Sequence, residues 1–533
     1  MRRPLGHVFS IVVCVAVVCG AAEPVDLDAV NTIRDEGLHR SRVMDLAWQL
    51  TEGIGPRLTA SPAMLEAAEW SRDTLASWGL DARLESFDYG AGWSFSRSEV
   101  RMVAPDEVPL AAIPQAWTPG TAGPVRGRAV RADLENEEDL EKWRGKLAGA
   151  IVLLDDVAEV DTAEETFKRY DDDELAGLEE MQIPEERDRG AWRERRIKQW
   201  RFWPTLTAFL EQEGVVALVD ASSRAHGVVR VWGGGGYGRA GRPDGVPHVT
   251  MTVEQYNRIL RLLDHGVDVE LELDVETTFH RESTTTPNVI ADLRGTDLAD
   301  EIVLVGAHLD SWHAGTGATD NGGNCAVVME AVRILKDSGL RPRRTIRVAL
   351  WTGEEQGLLG SRDYVSRHVA SRPETTDPEQ LELPSGMREP TWPITPLAEH
   401  GKISAYYNLD YGAGRIRGIF AQENVAAAPI FSAWLGAVRD LGATTVSPKS
   451  VGGTDHLSFD RVGVPAFQFI QDSMDYMTRT HHTHIDTYDH LVRDDLVQSA
   501  TVLATFLWHT ANRDEMLPRK PMPRPEAEAA EAN

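Results

Sequence analysis

Strands and helices alternate along the second half of the chain, and this alternation constrains the fold more than any other sequence feature. The predicted strands are 302–305, 345–351, 403–409 and 465–470, and the predicted helices are 324–335, 358–369, 426–441 and 491–510. Strands that are apolar throughout are typical of a mostly parallel sheet flanked by helices on both faces. The sequence therefore predicts an α/β fold with ligands at the carboxyl ends of its strands.

The 533-residue chain is too long for one ordinary domain. Short β-like runs at 150–154, 215–219 and 267–273, each bounded by Gly or Asp, indicate a smaller β-rich insertion. We expect a leader at 1–22, the N-terminal part of the α/β domain at 23–103, the insertion at 104–280, the rest of the α/β domain at 281–515 and a disordered tail at 516–533. Within the N-terminal part, 25–87 is predicted to be helical.

The N-terminus has the pattern of a secretory signal peptide. Arg2 and Arg3 precede an apolar run at 8–18, and small residues follow at 20–22. The apolar run is shorter than the roughly 20 residues that a membrane span needs. We therefore expect a secreted or periplasmic protein with no membrane span in the mature chain, and lipid attachment at Cys19 is the less favoured alternative.

Charge and cysteine content narrow the function classes. The formal net charge of −28 argues against a nucleic-acid partner, because a phosphate backbone binds basic surfaces. The basic, Trp-rich stretch 192–203 follows acidic runs, so we interpret it as a solvated amphipathic helix. Cys14 and Cys19 lie in the predicted leader, so the mature chain keeps Cys325 alone, expected to be a buried inert thiol without a disulfide partner.

Side chains of the metal-binding type follow one predicted strand after another. They are His308 and Asp310, Asp320, Glu354 and Glu355, Asp410, and the histidines at 481, 482 and 484. Each one alone has an ordinary structural explanation, such as a helix cap at Asp320. Together they lie where an α/β sheet forms its binding sites, and this favours a shared metal centre.

The residue types fit a centre with two zinc ions. Zinc binds imidazole nitrogen and carboxylate oxygen, and two neighbouring ions need a ligand that bridges them. Asp320, with its short carboxylate, suits the bridging position. A further carboxylate must stay free to take a proton from water, and the adjacent pair Glu354 and Glu355 provides one residue for each purpose.

The order of these residues resembles a known family. The series is His308-x-Asp310, Asp320-Asn321-x-Gly323, Glu354-Glu355, Asp410 and His482-Thr483-x-x-Asp486-Thr487. It resembles the co-catalytic zinc aminopeptidases and carboxypeptidases of peptidase family M28, and the middle of the chain resembles their inserted protease-associated domain. The resemblance implies a zinc-peptidase-like fold, two zinc ions and a peptide substrate.

The resemblance also implies roles for individual residues. His308, Asp320 and Asp410 would bind one zinc ion, and Asp320, Glu355 and His482 would bind the other. Glu354 would be the general base that takes a proton from water and later passes it to the leaving amine. Asp310 would orient His308.

On the substrate side, the loop Gly453-Thr454-Asp455-His456 resembles a loop of the family that lies near the substrate. The resemblance thereby implies substrate-binding roles for Asp455 and His456, whereas His484 is expected to face solvent or substrate. The role of His481 stays open, because relatives often have Tyr at this position.

The direction of cleavage stays open as well. The main interpretation is an aminopeptidase, and the alternative is a carboxypeptidase or dipeptidase of the same family, similar to its glutamate carboxypeptidase branch. An acid such as Asp475 would hold a substrate ammonium, whereas Arg479 would hold a carboxylate.

Other function classes fit the sequence less well. A non-catalytic, receptor-like relative would not need Glu354 and the full ligand set. The chain has no Gly-x-Ser-x-Gly motif, which disfavours a serine hydrolase. It has no His-Glu-x-x-His motif either, which disfavours a single-zinc endopeptidase.

Overall fold

The computed structural model describes residues 23–160, 166–181 and 189–525. The predicted leader at 1–22 and the last part of the predicted tail, 526–533, lie outside the described residues. Within the described ranges, no helix combines the length and the apolar character that a membrane crossing requires.

The N-terminal part contains helices and one strand: α1 (Leu27–His39), α2 (Val43–Trp48), a π-helical turn (Gln49–Ile54), α3 (Pro62–Ser77) and β1 (Asp81–Asp88). Helix α3 begins where the Ser61 hydroxyl accepts a hydrogen bond from the Met64 N–H and ends before Gly79, which has a φ of 87°. The predicted helical stretch to 87 is therefore wrong beyond this glycine, because the chain turns there into a strand.

The insertion follows with β2 (Gly92–Ala104), β3 (Val108–Leu110), β4 (Ala112–Pro114), β5 (Val125–Arg131), α4 (Glu137–Trp143), β6 (Ala150–Leu153), α5 (Asp172–Glu179), α6 (Arg189–Glu213), β7 (Ala217–Ala221), β8 (His248–Met251), α7 (Val253–Asp264) and β9 (Glu270–His280). Its eight strands form one sheet in the order β3-β2-β9-β5-β6-β7-β8-β4. Because β2 belongs to this sheet, the insertion begins at about residue 92 and not at 104 as expected.

The insertion has its own hydrophobic core, as expected of a separate domain. Strands β2 and β9 pair along most of their length and bury Met102 against Leu271 and Leu273. Helix α7 covers the same core with Tyr256 and Leu260, four positions apart on one helical face.

The main domain continues with β10 (Thr285–Leu293), β11 (Leu298–His308), α8 (Gly323–Asp337), β12 (Arg344–Trp351), α9 (Leu359–Tyr364), β13 (Ala370–Ser371), α10 (Pro378–Leu381), β14 (Thr395–Pro396), β15 (Ile403–Asn408), β16 (Ile416–Phe420), α11 (Ala428–Gly436), β17 (Thr445–Ser447), α12 (His456–Asp460), β18 (Ala466–Gln471) and α13 (Arg493–Asn512). Short π or 3-10 turns lie at Ala318–Gly322, Val365–Val369, Ser385–Met387, Val425–Ala427, Arg439–Leu441, Tyr476–Thr480 and Tyr488–His490.

The main sheet has the order β1-β10-β12-β11-β15-β18-β16-β17. Its centre, from β12 through β11 and β15 to β18, is parallel, and the pairings β1–β10, β10–β12 and β18–β16 are antiparallel. Helices cover both faces, since separate hydrophobic cores lie on either side. The predicted α/β fold is therefore confirmed, and the carboxyl ends of the central strands meet at one edge.

The chain after α13 packs against the main domain. From the sequence, disorder is expected from residue 516 onward. Leu517 is 2% exposed and lies in the main core. The Arg519 guanidinium donates to the backbone carbonyls of His400 (2.7 Å) and Ile403 (2.6 Å). The expectation is thus wrong for residues 516–525, because an apolar side chain and a cation find partners on the main domain.

Arg57 fixes the loop that connects β11 to α8. Its fully buried guanidinium donates to five backbone carbonyls, those of Leu50 (3.0 Å), Gly55 (3.0 Å), Leu309 (2.8 Å), Thr316 (2.9 Å) and Gly317 (2.8 Å). The Arg57 backbone N–H also donates to the Ser311 hydroxyl at 3.1 Å. Burial lowers the pKa of Arg57. A side chain from the N-terminal part therefore supports a loop of the main domain.

We expect Arg57→Met to lower the free energy of unfolding of the main domain by at least about 3 kcal/mol, because it leaves several buried carbonyls without a donor. Urea denaturation followed by tryptophan fluorescence would measure the loss. Arg72→Met is the matched control: Arg72 pairs with an exposed Asp73, and the change should cost less than about 1 kcal/mol. Equal losses in the two variants would contradict the role given to Arg57.

Candidate metal centre

His308, the last residue of β11, is the centre of a first cluster of metal-binding side chains. Its Nε2 lies 3.0 Å from Asp410 Oδ1 and 3.2 Å from Asp320 Oδ1. All three side chains are buried, and their ligand atoms are close enough to share one ion. The Nδ1 of His308 lies 2.9 Å from the backbone carbonyl of Asp310. Since a carbonyl can only accept, Nδ1 is the donor and Nε2 is left for a metal.

His482 is the centre of a second cluster. Its Nε2 lies 3.0 Å from Glu355 Oε2 and 3.4 Å from Asp320 Oδ2. The Nε2 of His481 lies 4.0 Å from the same Asp320 oxygen, so this second histidine also faces the cluster. One oxygen of Asp320 thus faces His308 and the other faces His482, which is the arrangement expected of a shared carboxylate.

The unpaired atoms of these clusters fit a cation. Asp320 Oδ2 and Glu355 Oε1 are buried and have no hydrogen-bond donor among the described residues. Buried polar atoms without a partner are costly, so such a pair indicates a missing ligand. Imidazole nitrogens and carboxylate oxygens are the donors that zinc takes in proteins. The residues present therefore fit zinc.

The pKa shifts of these side chains also indicate a site that fits a cation. Burial raises the pKa of Glu355 and of Asp410, and the charge of Asp320 raises that of Glu355 further. Burial opposes protonation of His308, yet the charge of Asp410 and hydrogen bonds to Asp320 and Asp410 raise its pKa well above its usual value. The carboxyl pKa values are raised because the acids are buried close together, and a divalent cation would offset their mutual repulsion.

Asp310 holds both sides of the site in place. Its Oδ2 accepts a hydrogen bond from the Thr59 hydroxyl at 2.9 Å. Its two oxygens also accept from the backbone N–H groups of Glu354 (3.3 Å) and Glu355 (3.4 Å). Its Oδ1 lies 3.7 Å from His308 Nδ1. One buried carboxylate thereby positions a histidine and the neighbouring pair of glutamates.

Glu354 differs from its neighbours because its carboxylate is bound to nothing. It forms no hydrogen bond or ion pair with any residue in the described part of the chain, and it lines a large cleft. Burial and the nearby Asp410 raise the pKa of Glu354 well above its usual value. A free carboxylate with a raised pKa beside a metal site can accept and return a proton.

The cleft has a volume of about 1890 Å³ and lies between the main domain and the insertion. The main domain contributes His308, Asp320, Glu354, Glu355, Asp410, Thr454, Tyr476 and His482 to its walls, and the insertion contributes Gln115, Trp200, Trp232, Tyr237 and the glycines 233–235. A substrate in the cleft would therefore contact both domains.

The insertion also holds the loop that carries His482. The Val231 N–H donates to the His482 carbonyl at 2.9 Å, and the His484 N–H donates to the Val229 carbonyl at 3.1 Å. The Trp232 and His482 rings lie 4.7 Å apart. His484 Nδ1 accepts from the Val229 N–H at 3.0 Å, so this half-buried side chain is bound to the insertion and is not among the residues that line the cleft.

Helix α6 closes one side of the cleft. Its Arg193 donates to the Met387 carbonyl at 2.8 Å, and its Trp200 indole N–H donates to the Glu382 carbonyl at 3.3 Å. Its Arg201 pairs with Glu379 at 3.1 Å. The basic, Trp-rich stretch therefore belongs to a helix, as expected. This helix also contacts the main domain and does not pack against the insertion alone.

The structure does not bring the predicted substrate-binding side chains Asp455, His456 and Arg479 to the cleft. Asp455 and His456 are fully buried, because α12 begins there and turns both inward while Thr454 faces the cleft. Arg479 is half-buried outside the lining residues. Asp475, the candidate acid for an ammonium, instead accepts a hydrogen bond from His490 Nδ1 at 2.7 Å.

Known proteins resemble this chain in the region that carries the site. Residues 288–507 match the model of Peptidase family M28. Carboxypeptidase Q from Mus musculus is 30% identical over 279 residues, which are 52% of this chain and 53% of that protein. Leupeptin-inactivating enzyme 1 from Streptomyces exfoliatus is 27% identical over 259 residues, 48% of this chain and 47% of that protein. The chain thus spans about half the length of these curated relatives.

Solved structures resemble the chain over nearly its whole length. A Peptidase M28 precursor from Shewanella amazonensis has a TM-score of 0.65 and 26% identity, and the match covers 94% of this chain and 99% of that one. A zinc aminopeptidase from Bacillus subtilis has a TM-score of 0.54 and 17% identity, over 90% of this chain and 97% of that one, and shares its fold. Together with the order of metal-binding residues at the sheet edge, these matches make residues 288–507 similar to Peptidase family M28 and give the chain the fold of a Peptidase M28 precursor.

Proposed function

We propose that this chain is a zinc-dependent exopeptidase that hydrolyses peptide bonds and acts as an aminopeptidase. The observation that carries the proposal is the unbound carboxylate of Glu354 beside two metal-binding clusters that share Asp320. The names of the relatives support removal of a terminal residue, since they include a carboxypeptidase and a zinc aminopeptidase.

In this proposal the ligands divide between two ions. His308, Asp320 and Asp410 would hold one zinc ion, and Asp320, Glu355 and His482 would hold the other. The distances of 3.0–3.4 Å between the side chains within each cluster support this division. Bound zinc supplies Lewis acidity, which polarises a peptide carbonyl and makes water more acidic.

Glu354 would move the proton. It would take a proton from the attacking water and pass it to the leaving amine, and its raised pKa suits a group that carries a proton during the reaction. Asp310 keeps this residue in place through the backbone N–H groups of Glu354 and Glu355. The cleft walls from the insertion would exclude bulk water around the reacting bond.

Two further parts of the proposal concern the rest of the chain. We propose that the protein is exported, on the basis of the charged, apolar and small-residue pattern at its N-terminus. We also propose that the insertion is of the protease-associated type, which its separate β-rich sheet and core support.

We expect Glu354→Gln to keep its zinc and to lower kcat by about 10²–10⁴-fold, because the amide cannot accept the proton. Peptide hydrolysis measured by chromatography, beside zinc content measured by mass spectrometry, would test this. Glu52→Gln, at an exposed glutamate that is not among the residues lining the cleft, is the matched control and should keep full activity. A fully active Glu354→Gln protein would show that another group is the base.

The number of ions gives a second prediction. We expect two zinc ions per wild-type chain after dialysis, and we expect Asp320→Ala to lose more zinc than Asp410→Ala, because Asp320 faces both clusters. Elemental analysis of the purified proteins would measure the ratio. A wild-type chain that holds a single ion would refute the shared position of Asp320.

The direction of cleavage is tested with one tripeptide offered in free and N-acetylated form, with and without a chelator. We expect N-terminal trimming of the free form only, and loss of this activity with the chelator, because an aminopeptidase needs the free ammonium. Mass spectrometry of the products would identify the end that is shortened. Trimming of both forms from the C-terminus would instead assign the carboxypeptidase alternative to the same site.

A further inference from the structure

Arg362 brings a positive charge into the cleft close to the proposed general base. It lies on α9, the helix that follows the loop carrying Glu354, and its half-buried side chain lines the same cavity as Glu354 and Asp410. Burial and the nearby positive charge of Arg461 together lower the pKa of Arg362 to about 10. The guanidinium therefore remains charged at neutral pH.

The Arg362 guanidinium has no partner. It makes no hydrogen bond, ion pair or ring contact with any residue of 23–160, 166–181 and 189–525. Two other arginines of the cleft have partners, since Arg193 donates to the Met387 carbonyl and Arg239 lies 5.7 Å from the Trp200 ring. A partly buried cation without a partner is costly, so the structure leaves this position ready for an anion.

Two glycines keep the space beside this guanidinium open. A Cβ at Gly386 would lie 3.4 Å from the Arg362 Nη1, so a side chain there would be in contact with the guanidinium. Gly357, which has a φ of 111°, has nothing within 4 Å of the place where its Cβ would be. Both glycines line the cleft. A ligand entering the cleft can therefore reach the guanidinium from this side.

We propose that Arg362 binds a carboxylate of the peptide substrate, an inference that rests on the proposed peptidase function. Guanidinium and carboxylate match in shape and form two parallel hydrogen bonds, which make the interaction both strong and directional. The carboxylate is the C-terminus of a short peptide or an acidic side chain. Arg362 thus takes the role of carboxylate recognition that is expected of Arg479 from the sequence alone.

The position of the neighbouring acids supports this assignment. Glu354 and Asp455 are the anions that act on Arg362 through their charge, but neither forms an ion pair with it. Glu354 therefore stays free to handle a proton while Arg362 stays free to hold the substrate. Helix α6 and the Ser385–Met387 turn confine the cleft on this side, which favours short substrates.

Two pairs of dipeptides test the proposal and separate the two sources of the carboxylate. The first pair is Ala-Ala and Ala-Ala-amide, and the second is Ala-Glu-amide and Ala-Gln-amide. For the zinc-loaded wild type we expect kcat/KM to be higher for the charged member of one pair. Arg362→Gln should lower that value by about 10–100-fold, mainly through KM, and leave the neutral member unchanged.

Two variants serve as controls. Arg195→Gln removes an equal charge from an exposed position on α6 that also lines the cleft, and it should keep the wild-type preference. Arg362→Lys should restore part of the preference, because it returns the charge without the planar fork. A wild type that treats the members of both pairs alike, or an Arg362→Gln protein that keeps the preference, would overturn the proposal.

Binding measurements keep this test separate from the test of peptidase activity. If the wild type hydrolyses none of the four dipeptides, the proposed function fails, whereas calorimetry with the same dipeptides still reports on Arg362. Tighter binding of a charged member to the wild type, lost in a folded Arg362→Gln protein, would support the carboxylate site. Equal affinity within both pairs would overturn it.

Discussion

The mutual repulsion of buried carboxylates at one edge of the main sheet is the constraint on which the surrounding structure depends. Asp320, Glu355 and Asp410 face one another across two histidines, in a place with little water to separate their charges. Two further acids nearby accept hydrogen bonds from backbone N–H groups. Asp310 accepts from the N–H groups of the glutamate pair, and Asp486 accepts from that of Asp320 at 3.1 Å. Asp320 Oδ2 and Glu355 Oε1, by contrast, have no hydrogen-bond donor among the described residues, and both carboxylates are assigned to the metal.

The sequence predicted the parts of the site that follow from local pattern. Apolar strands that end in acids or histidines place those residues at a common sheet edge, and the structure brings the five predicted metal ligands together there. The same pattern predicted that one member of the pair Glu354-Glu355 stays free, and the resemblance to family M28 implied that it is Glu354. Strand positions decide where His308 and Asp410 meet, whereas the resemblance was needed to choose His482 among the clustered histidines.

Contacts between distant parts of the chain could not be predicted in this way. The sequence around Arg57 predicts only an ordinary turn. The five carbonyl groups that accept hydrogen bonds from Arg57 include three that lie more than 250 positions away in the chain. Thr59 and Val231 likewise support the site through long-range hydrogen bonds. The inward turn of Asp455 depends on where α12 begins, and a helix of so few residues leaves little periodicity in the sequence.

The hydrogen bonds between the insertion and the His482 loop make metal binding and domain orientation linked equilibria. Val231 and Val229 hold the backbone of the loop whose imidazole faces Asp320, so a rotation of the insertion must either break these bonds or carry the histidine with it. Any ligand that favours one orientation of the insertion would then change the affinity for the metal, and the metal would change the affinity for that ligand by the same factor. The orientation of the insertion and the occupancy of the metal site are therefore coupled within a single chain.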